Sequence, residues 1–249
     1  MSKKNQIEVN FRDIQILQFV FEQRVTSFKQ LATRFFANTL IPTAFKRLEK
    51  LYKAGYLTKS FALWEAKRTA FYGSTDKGIK LLTESYRYKI THPDFKSDSI
   101  THDLGLVRLR IRLEKTKMLV EYLSESMLQS CSTLTESEKL SGFARVNSDA
   151  VLYLNMPTAK IVVALEYEIS DKAERRYTKK LTDYYFSRNI GAVLYVCGDA
   201  SIENLIRQTD KEADQKYPAK IFTCLEKTIQ NSPDRLPFLN RDNGILSLE

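Results

Sequence analysis

The sequence contains few of the residues that build covalent or metal-based sites. Its three cysteines, Cys131, Cys197 and Cys224, are far apart and odd in number, and no CxxC pair occurs. Neither a disulfide framework nor a zinc knuckle is therefore expected, and we interpret the cysteines as reduced and buried. The two histidines, His92 and His102, are too few for a histidine-based structural metal site.

Long apolar runs are also missing. No stretch reaches the length needed to cross a bilayer, and the first six residues continue into mixed sequence without the apolar segment of a signal peptide. These features predict a cytoplasmic protein with no membrane partner. The chain has 249 residues, 43% of them hydrophobic and 28% charged, which is enough for one large domain or two of ordinary size.

Positive charge is in excess, and it is unevenly distributed. The chain has 39 basic and 30 acidic residues, a formal net charge of +9. Residues 1–90 hold 17 basic and 7 acidic residues, a balance of +10, whereas residues 91–249 hold 22 and 23, a balance of −1. The simplest interpretation is a module that binds a polyanion followed by a near-neutral domain, and nucleic acid is the commonest polyanion.

Three short amphipathic helices are predicted at the start of the chain. Apolar residues recur at helical spacing from Phe11 to Arg24, again after the capping residue Ser27, and a third time after Pro42. Gly55 ends the third helix. The other faces of that helix carry the basic residues that we expect to contact DNA: Lys46, Arg47, Lys50 and Lys53.

A strand pair and a fourth helix are predicted next. The strands are Tyr56 to Trp64 and Thr69 to Tyr72, joined by a basic turn that includes Lys67 and Arg68. Thr75 is a suitable N-cap for the helix that follows.

This order of elements is that of a winged helix-turn-helix domain. The segments 48–57 and 72–78 resemble the corresponding segments of winged-helix DNA-binding proteins. We therefore predict a winged-helix DNA-binding domain over residues 1–90. In this domain Lys46, Arg47 and Lys50 would lie in the major groove, and Lys67 and Arg68 would contact the minor groove or phosphates.

The polar segment 91–99, which contains His92 and Pro93, is predicted to be a linker. A second domain is predicted over residues 100–230, followed by a C-terminal tail over residues 231–249. Its predicted elements are a helix from Ile100, a strand at Met118 to Leu123, a hairpin of Ala150 to Leu154 with Ile161 to Glu168, a helix from Asp171 to Arg188, a strand at Ile190 to Cys197, a helix from Ile202 to Ala213 and a strand at Ile221 to Cys224.

Three acidic residues lie at strand ends in this second domain. Asp149 opens one strand, and Glu166 and Glu168 close the next. Because side chains alternate along a strand, both glutamates point to the same face. Two glutamates beside an aspartate could hold a divalent cation through oxygen ligands.

The acids and the order of elements resemble the PD-(D/E)xK nuclease fold. The winged helix joined to this domain, together with Thr101-His102-Asp103-Leu104 and Ala164-Leu165-Glu166-Tyr167-Glu168, resembles the replication-relaxation family of plasmids and other mobile elements. This resemblance spans most of the chain. It implies an α+β or α/β protein in which a winged helix-turn-helix precedes a restriction-endonuclease-like mixed sheet.

The resemblance assigns site residues position by position. Asp149 matches the first acid of the nuclease motif and Glu166 the second, so these two would bind Mg²⁺ or Mn²⁺ if the domain is catalytic. The motif's lysine is missing, since Glu168 stands in its place, and Lys172 is the candidate to replace it. His102 is the further residue that the family resemblance brings forward, as a phosphate contact or proton carrier.

The missing lysine favours a binding function over catalysis. The first hypothesis is a double-stranded DNA-binding protein of a mobile element, acting in replication, relaxation or transfer or their regulation, with a degenerate nuclease-like domain. It implies no particular cofactor. That domain would supply dimerisation, a further DNA contact or a surface for other replication or transfer proteins. Two alternatives stay open: a metal-dependent endonuclease or nickase that the winged helix targets, and a transcriptional repressor.

Overall fold

The computed structural model describes residues 7–93, 97–170, 172–213, 217–232 and 235–249. The chain divides into two compact units. The first unit is Met1–Ile111 with Gln129–Thr133, and the second is Arg112–Leu128 with Leu134–Glu249. Helices are combined with a small antiparallel sheet and a larger mixed sheet, so the predicted α+β class is confirmed.

The described residues of the first part of the chain form five helices and three strands. In order they are α1 Phe11–Gln23, β1 Val25–Ser27, α2 Phe28–Phe35, α3 Ile41–Lys53, β2 Leu57–Trp64, β3 Lys67–Ser74, α4 Asp76–Thr83 and α5 Ile100–Leu113. The strands form an antiparallel sheet in the order β1-β3-β2. The short strand β1, which precedes α2 directly, is not predicted from the sequence.

The helix ends in this part follow from local chemistry. Ser27 and Gln30 form a capping box at the start of α2, and the Thr75 hydroxyl accepts a hydrogen bond from the backbone of α4. Pro42 lies in the first turn of α3, where its missing N–H costs nothing. Gly55 has a φ of +78°, a conformation that glycine adopts readily just after a helix. These predictions are confirmed.

The hairpin of β2 and β3 is longer than predicted, and its turn is shorter. The strands pair without interruption from Leu57↔Ser74 to Trp64↔Lys67. Only Glu65 and Ala66 form the turn, with φ values of 50° and 59°, as two-residue hairpin turns require. Lys67 and Arg68 therefore belong to β3 and not to the turn.

The remaining elements include the strands of a seven-stranded sheet. In order they are β4 Leu119–Ser124, α6 Glu125–Ser130, α7 Ser132–Thr135, α8 Glu138–Arg145, β5 Ala150–Asn155, β6 Lys160–Glu168, α9 Glu174–Phe186, β7 Val193–Cys197, α10 Ala200–Ala213, β8 Ile221–Leu225, α11 Glu226–Asn231, β9 Leu236–Asn240 and β10 Ile245–Leu248. The predicted strands and hairpin of this region are confirmed. The helix predicted to begin at Asp171 corresponds to α9, which begins at Glu174. Asp171 itself lies outside the described residues.

The strand order is β10-β9-β8-β7-β6-β5-β4. Strands β6, β7 and β8 are parallel, and the other neighbours are antiparallel. The end of the chain, for which the sequence predicts only a tail, supplies β9 and β10. Leu236, Phe238 and Leu248 are buried there, so these short strands extend the sheet and supply part of its apolar core.

The core strands β6 and β7 lie in the middle of the sheet, and residues 163–168 and all of β7 are buried. The three cysteines are free and buried, as predicted. Within the described ranges, no helix is long and apolar enough to cross a membrane.

Candidate functional site

The predicted acids meet at the end of β6. Pairing of Ala150 with Leu165 places Asp149, the residue before β5, beside Glu166. The Asp149 Oδ2 atom accepts a hydrogen bond of 2.7 Å from the backbone N–H of Tyr167. The structure thus brings Asp149 and Glu166 together at one edge of the hairpin.

Glu166 is buried, with 4% of its surface exposed, and both of its carboxylate oxygens have partners. Lys180 Nζ donates to Oε2 at 2.6 Å, and the Tyr184 hydroxyl donates to Oε1. The Ser148 hydroxyl lies 2.9 Å from the Tyr184 hydroxyl. A carboxylate in this position is held by a lysine, a tyrosine and, through the tyrosine, a serine.

The electrostatics of this cluster follow from its burial. Burial raises the pKa of Glu166 to about 7; Lys180 acts against this shift and the Asp149 charge adds to it. Burial alone would lower the pKa of Lys180, but the carboxylates of Glu166 and Asp149 raise it. Lys180 is therefore charged at neutral pH, whereas the carboxyl group of Glu166 titrates near neutral pH.

Lys180, and not Lys172, contacts the second acid of the motif. Lys172 precedes α9 and forms an ion pair with Glu168. Lys180 lies further along α9, three residues after the buried Tyr177 and four before the buried Tyr184. That spacing places it on the helical face toward the sheet. The same spacing is visible in the sequence and could have identified Lys180.

Tyr195 is a further polar side chain at the acids that the sequence does not single out. It pairs with Glu166 across β6 and β7, and Cys197 pairs with Glu168. The Tyr195 hydroxyl is buried and has no hydrogen-bond partner among the described residues. Burial, and then the charge of Glu166, raise the pKa of Tyr195, so this hydroxyl is neutral beside the carboxylates.

The donor set, as arranged, does not match a divalent cation site. Both oxygens of Glu166 are engaged by Lys180 and Tyr184, and one oxygen of Asp149 accepts a backbone hydrogen bond. Across the part of the chain that the structure describes, no group of three or more His, Cys, Asp or Glu side chains could hold a metal ion. A metal would have to displace at least one of these contacts.

The predicted His102 lies on α5, in the first unit, whereas the acids belong to the second unit. Its Nδ1 atom is 3.4 Å from Asp103 Oδ1, and its side chain is 24% exposed. His92, in the predicted linker, is exposed.

The basic residues of α3 have two different environments. Lys46, Lys50 and Lys53 are exposed, and their side chains have no hydrogen bond or ion pair with the residues that the structure describes. Their spacing of four and three places them on one side of the helix, while Leu48 and Leu51 are buried on the other. These three lysines are available to a ligand.

Arg47 is bound within the first unit. Its Nε donates to Asp13 Oδ1 at 2.8 Å, and its Nη2 contacts Asp13 Oδ2 and the Glu8 carbonyl. The Asp13 side chain is completely buried. The arginine that the sequence places among the DNA contacts therefore neutralises a buried carboxylate between α1 and α3.

The cations of the hairpin differ in the same way. Lys67 and Arg68 are exposed, and the Arg68 guanidinium lies 5.0 Å from the centre of the Phe61 ring. Lys59, which the sequence does not single out, forms an ion pair with Glu49. Its ammonium group lies 5.1 Å from the Phe45 ring and 5.1 Å from the Phe61 ring.

Comparison with known proteins identifies a family. The model of the family described as replication-relaxation matches residues 17–191. That range includes α3, the hairpin and the acids at β6. No curated protein and no solved structure matches the chain.

Proposed function

Because the chain belongs to the replication-relaxation family, we propose that it is a double-stranded DNA-binding protein that acts in replication, relaxation or transfer of a plasmid or other mobile element. The observation that carries this proposal is the row of exposed lysines on α3 that have no partner among the described residues: Lys46, Lys50 and Lys53. A row of cations held on one rigid helix face suits the phosphates and base edges of a duplex.

The order of elements supports a winged helix-turn-helix interpretation of the first unit. Helices α2 and α3 are consecutive, and α3 is followed by the β2–β3 hairpin and α4. In this arrangement α3 is the recognition helix and the hairpin is the wing. Lys67 and Arg68 then lie on the wing, where they contact phosphates beside the groove that α3 enters.

Arg47 is not part of the proposed interface. Its guanidinium binds the buried Asp13, and releasing it for DNA would leave that carboxylate without its charge partner. The proposed α3 contacts are therefore Lys46, Lys50 and Lys53.

The test is the salt dependence of binding to a mixed-sequence duplex. Each lysine that neutralises a phosphate contributes about one unit to the slope of log K against log salt. We expect replacement of Lys46, Lys50 and Lys53 by Ala to weaken binding and to flatten the slope by about two to three units. The matched control replaces three other exposed lysines, Lys80, Lys89 and Lys211. Equal binding by the α3 variant and the unmodified chain would overturn the proposal.

A metal-dependent nuclease is the second candidate. It is favoured by Lys180, whose Nζ lies 2.6 Å from Glu166 Oε2, because this lysine supplies the cation that the Glu166-x-Glu168 motif lacks. The engaged oxygens of Glu166 argue against it. Supercoiled plasmid incubated with and without Mn²⁺ separates the two functions. Metal-dependent nicking that disappears in Asp149→Ala would establish the nuclease. Plasmid that stays intact under all conditions would exclude the nuclease and leave DNA binding as the remaining candidate.

A further inference from the structure

The outer face of the β2–β3 hairpin exposes large apolar side chains. Leu63 is 80% exposed and Phe61 is 53% exposed. They lie two residues apart on β2, so both point to the same face of the hairpin. Exposed apolar groups on a single surface indicate contact with a ligand more often than isolated ones do.

The exposure of Leu63 does not come from a loose loop. The hairpin is fully paired up to Trp64↔Lys67, next to its two-residue turn. Its inner face is packed, since Ala62 and Trp64 contact the buried Val25, Phe71 and Leu104.

An ion pair also holds the turn. The carboxylate of Glu65 lies 2.9 Å from Arg108 Nη1 of α5, within the first unit. Packing on the inner face holds the hairpin, and the partly exposed ion pair at the turn adds a weaker contact, so Leu63 projects from a paired and packed strand.

Cations border the apolar tip. Arg68 pairs directly with Leu63 across the hairpin and shares its face, whereas Lys67 pairs with Trp64 and lies on the opposite face. Both are exposed. A hairpin tip that carries an exposed apolar side chain and one cation on each of its two faces is complementary to a groove whose floor consists of bases and whose walls carry phosphates.

Stacking of unpaired bases is the other ligand chemistry to weigh. It requires free aromatic faces. The ring of Phe61 already has cation–π contacts, because Lys59 and Arg68 lie 5.1 Å and 5.0 Å from the ring centre. The most exposed group, Leu63, offers no ring. The surface therefore suits insertion into a duplex better than stacking.

We propose that Leu63 is a wedge that enters the minor groove of duplex DNA, partly unstacks one base step and bends the helix axis, while Lys67 and Arg68 hold the flanking phosphates. This inference rests on the proposed duplex binding and adds bending to it. Pyrimidine–purine steps such as TA unstack most easily, so the wedge favours sites with such a step at the position of the hairpin.

The test measures bending of a duplex of about 30 base pairs with central TA steps, labelled with a fluorophore pair at its two ends. Energy transfer is recorded at saturating concentrations of the full chain. We expect transfer to rise on binding, and Leu63→Ala to remove most of that rise while affinity falls at most several-fold. Ile245→Ala is the matched control, since Ile245 is 61% exposed and lies in the second unit; it should bend DNA as the unmodified chain does.

Several results would overturn the wedge. They are a straight duplex in the saturated complex, equal bending by Leu63→Ala, or tighter binding of a single strand that Phe61→Ala abolishes. These outcomes differ from failure of the proposed function, because duplex binding that still depends on Lys46, Lys50 and Lys53 would survive each of the first two. Conversely, a chain that binds no duplex fails both proposals at once.

Discussion

The lysines of α3 and the carboxylate of Glu166 show two opposite uses of charge in one chain. Lys46, Lys50 and Lys53 are exposed and have no partner among the described residues. Glu166 is buried, and both of its oxygens are engaged by Lys180 and Tyr184. One set of charges faces solvent, and the other is satisfied internally.

This difference distinguishes charges that are available to bind a polyanion from charges that are needed for the stability of the fold. An exposed lysine contributes little to folding, and its charge stays available to a polyanion. A buried carboxylate must be compensated, so its partners are needed for stability. Substitutions of Lys46, Lys50 or Lys53 should therefore change DNA binding and leave the free energy of unfolding nearly constant, and those around Glu166 should change the free energy of unfolding.

The largest expected effect on stability is the pH dependence that Glu166 imposes. Burial raises the pKa of Glu166 from 4.5 to about 7 in the folded chain. Between these values the folded protein keeps a proton that the unfolded chain has released, so stability falls as pH rises. The loss contributed by this one group amounts to about 3 kcal/mol between pH ~4 and pH ~8.

Urea unfolding across this pH range measures the effect, with Glu166→Gln as the comparison. The amide does not titrate, so the variant should lack this part of the slope and otherwise follow the unmodified chain. If both proteins lose stability equally as pH rises, Glu166 is not the buried acid described above.

Much of this arrangement can be predicted from the sequence because it depends on local patterns. Alternation along β6 places Glu166 and Glu168 on one face, and helical periodicity exposes the lysines of α3. Ser27, Thr75 and Gly55 mark helix ends through their own side-chain or backbone chemistry. These signals lie within a few residues of the features they predict.

The remaining features depend on contacts between distant residues. Arg47 resembles its lysine neighbours in sequence, and only the fold of α1 against α3 places Asp13 beside it. The pairing of Lys180 with Glu166 spans 14 residues and depends on how α9 lies on the sheet. Strands β9 and β10 are short and form because the sheet offers an edge to pair with.

Arg47 shows that exposed and internally paired charges can occur on the same helix. It lies on α3 beside the exposed lysines, but its charge stabilises the fold. Removal of its side chain leaves the buried Asp13 carboxylate without its cation. We expect Arg47→Ala to lower the free energy of unfolding by about 2 kcal/mol, less than for a fully buried pair because Arg47 is partly exposed. Lys50→Ala on the same helix should change it by less than about 0.5 kcal/mol.

Chemical denaturation of the two variants measures the contrast. The salt dependence of duplex binding should respond in the opposite order, with the larger change in Lys50→Ala. If both substitutions lower the free energy of unfolding equally, the ion pair of Arg47 with Asp13 does not contribute more to stability than the exposed Lys50.

A smaller loss than that of Arg47→Ala is expected for Lys180→Met, which retains the aliphatic stem and removes the charge beside Glu166. Without the ammonium group, Glu166 can avoid a buried charge by keeping its proton, and this limits the loss to about 1.5 kcal/mol at pH ~8. At pH ~5 the carboxyl group of Glu166 is protonated in both proteins, and the difference should shrink. Lys179→Met is the matched control, since Lys179 is exposed on the same helix. Thermal unfolding at the two pH values measures the change, and a pH-independent loss would show that Lys180 stabilises α9 by packing and not by its charge.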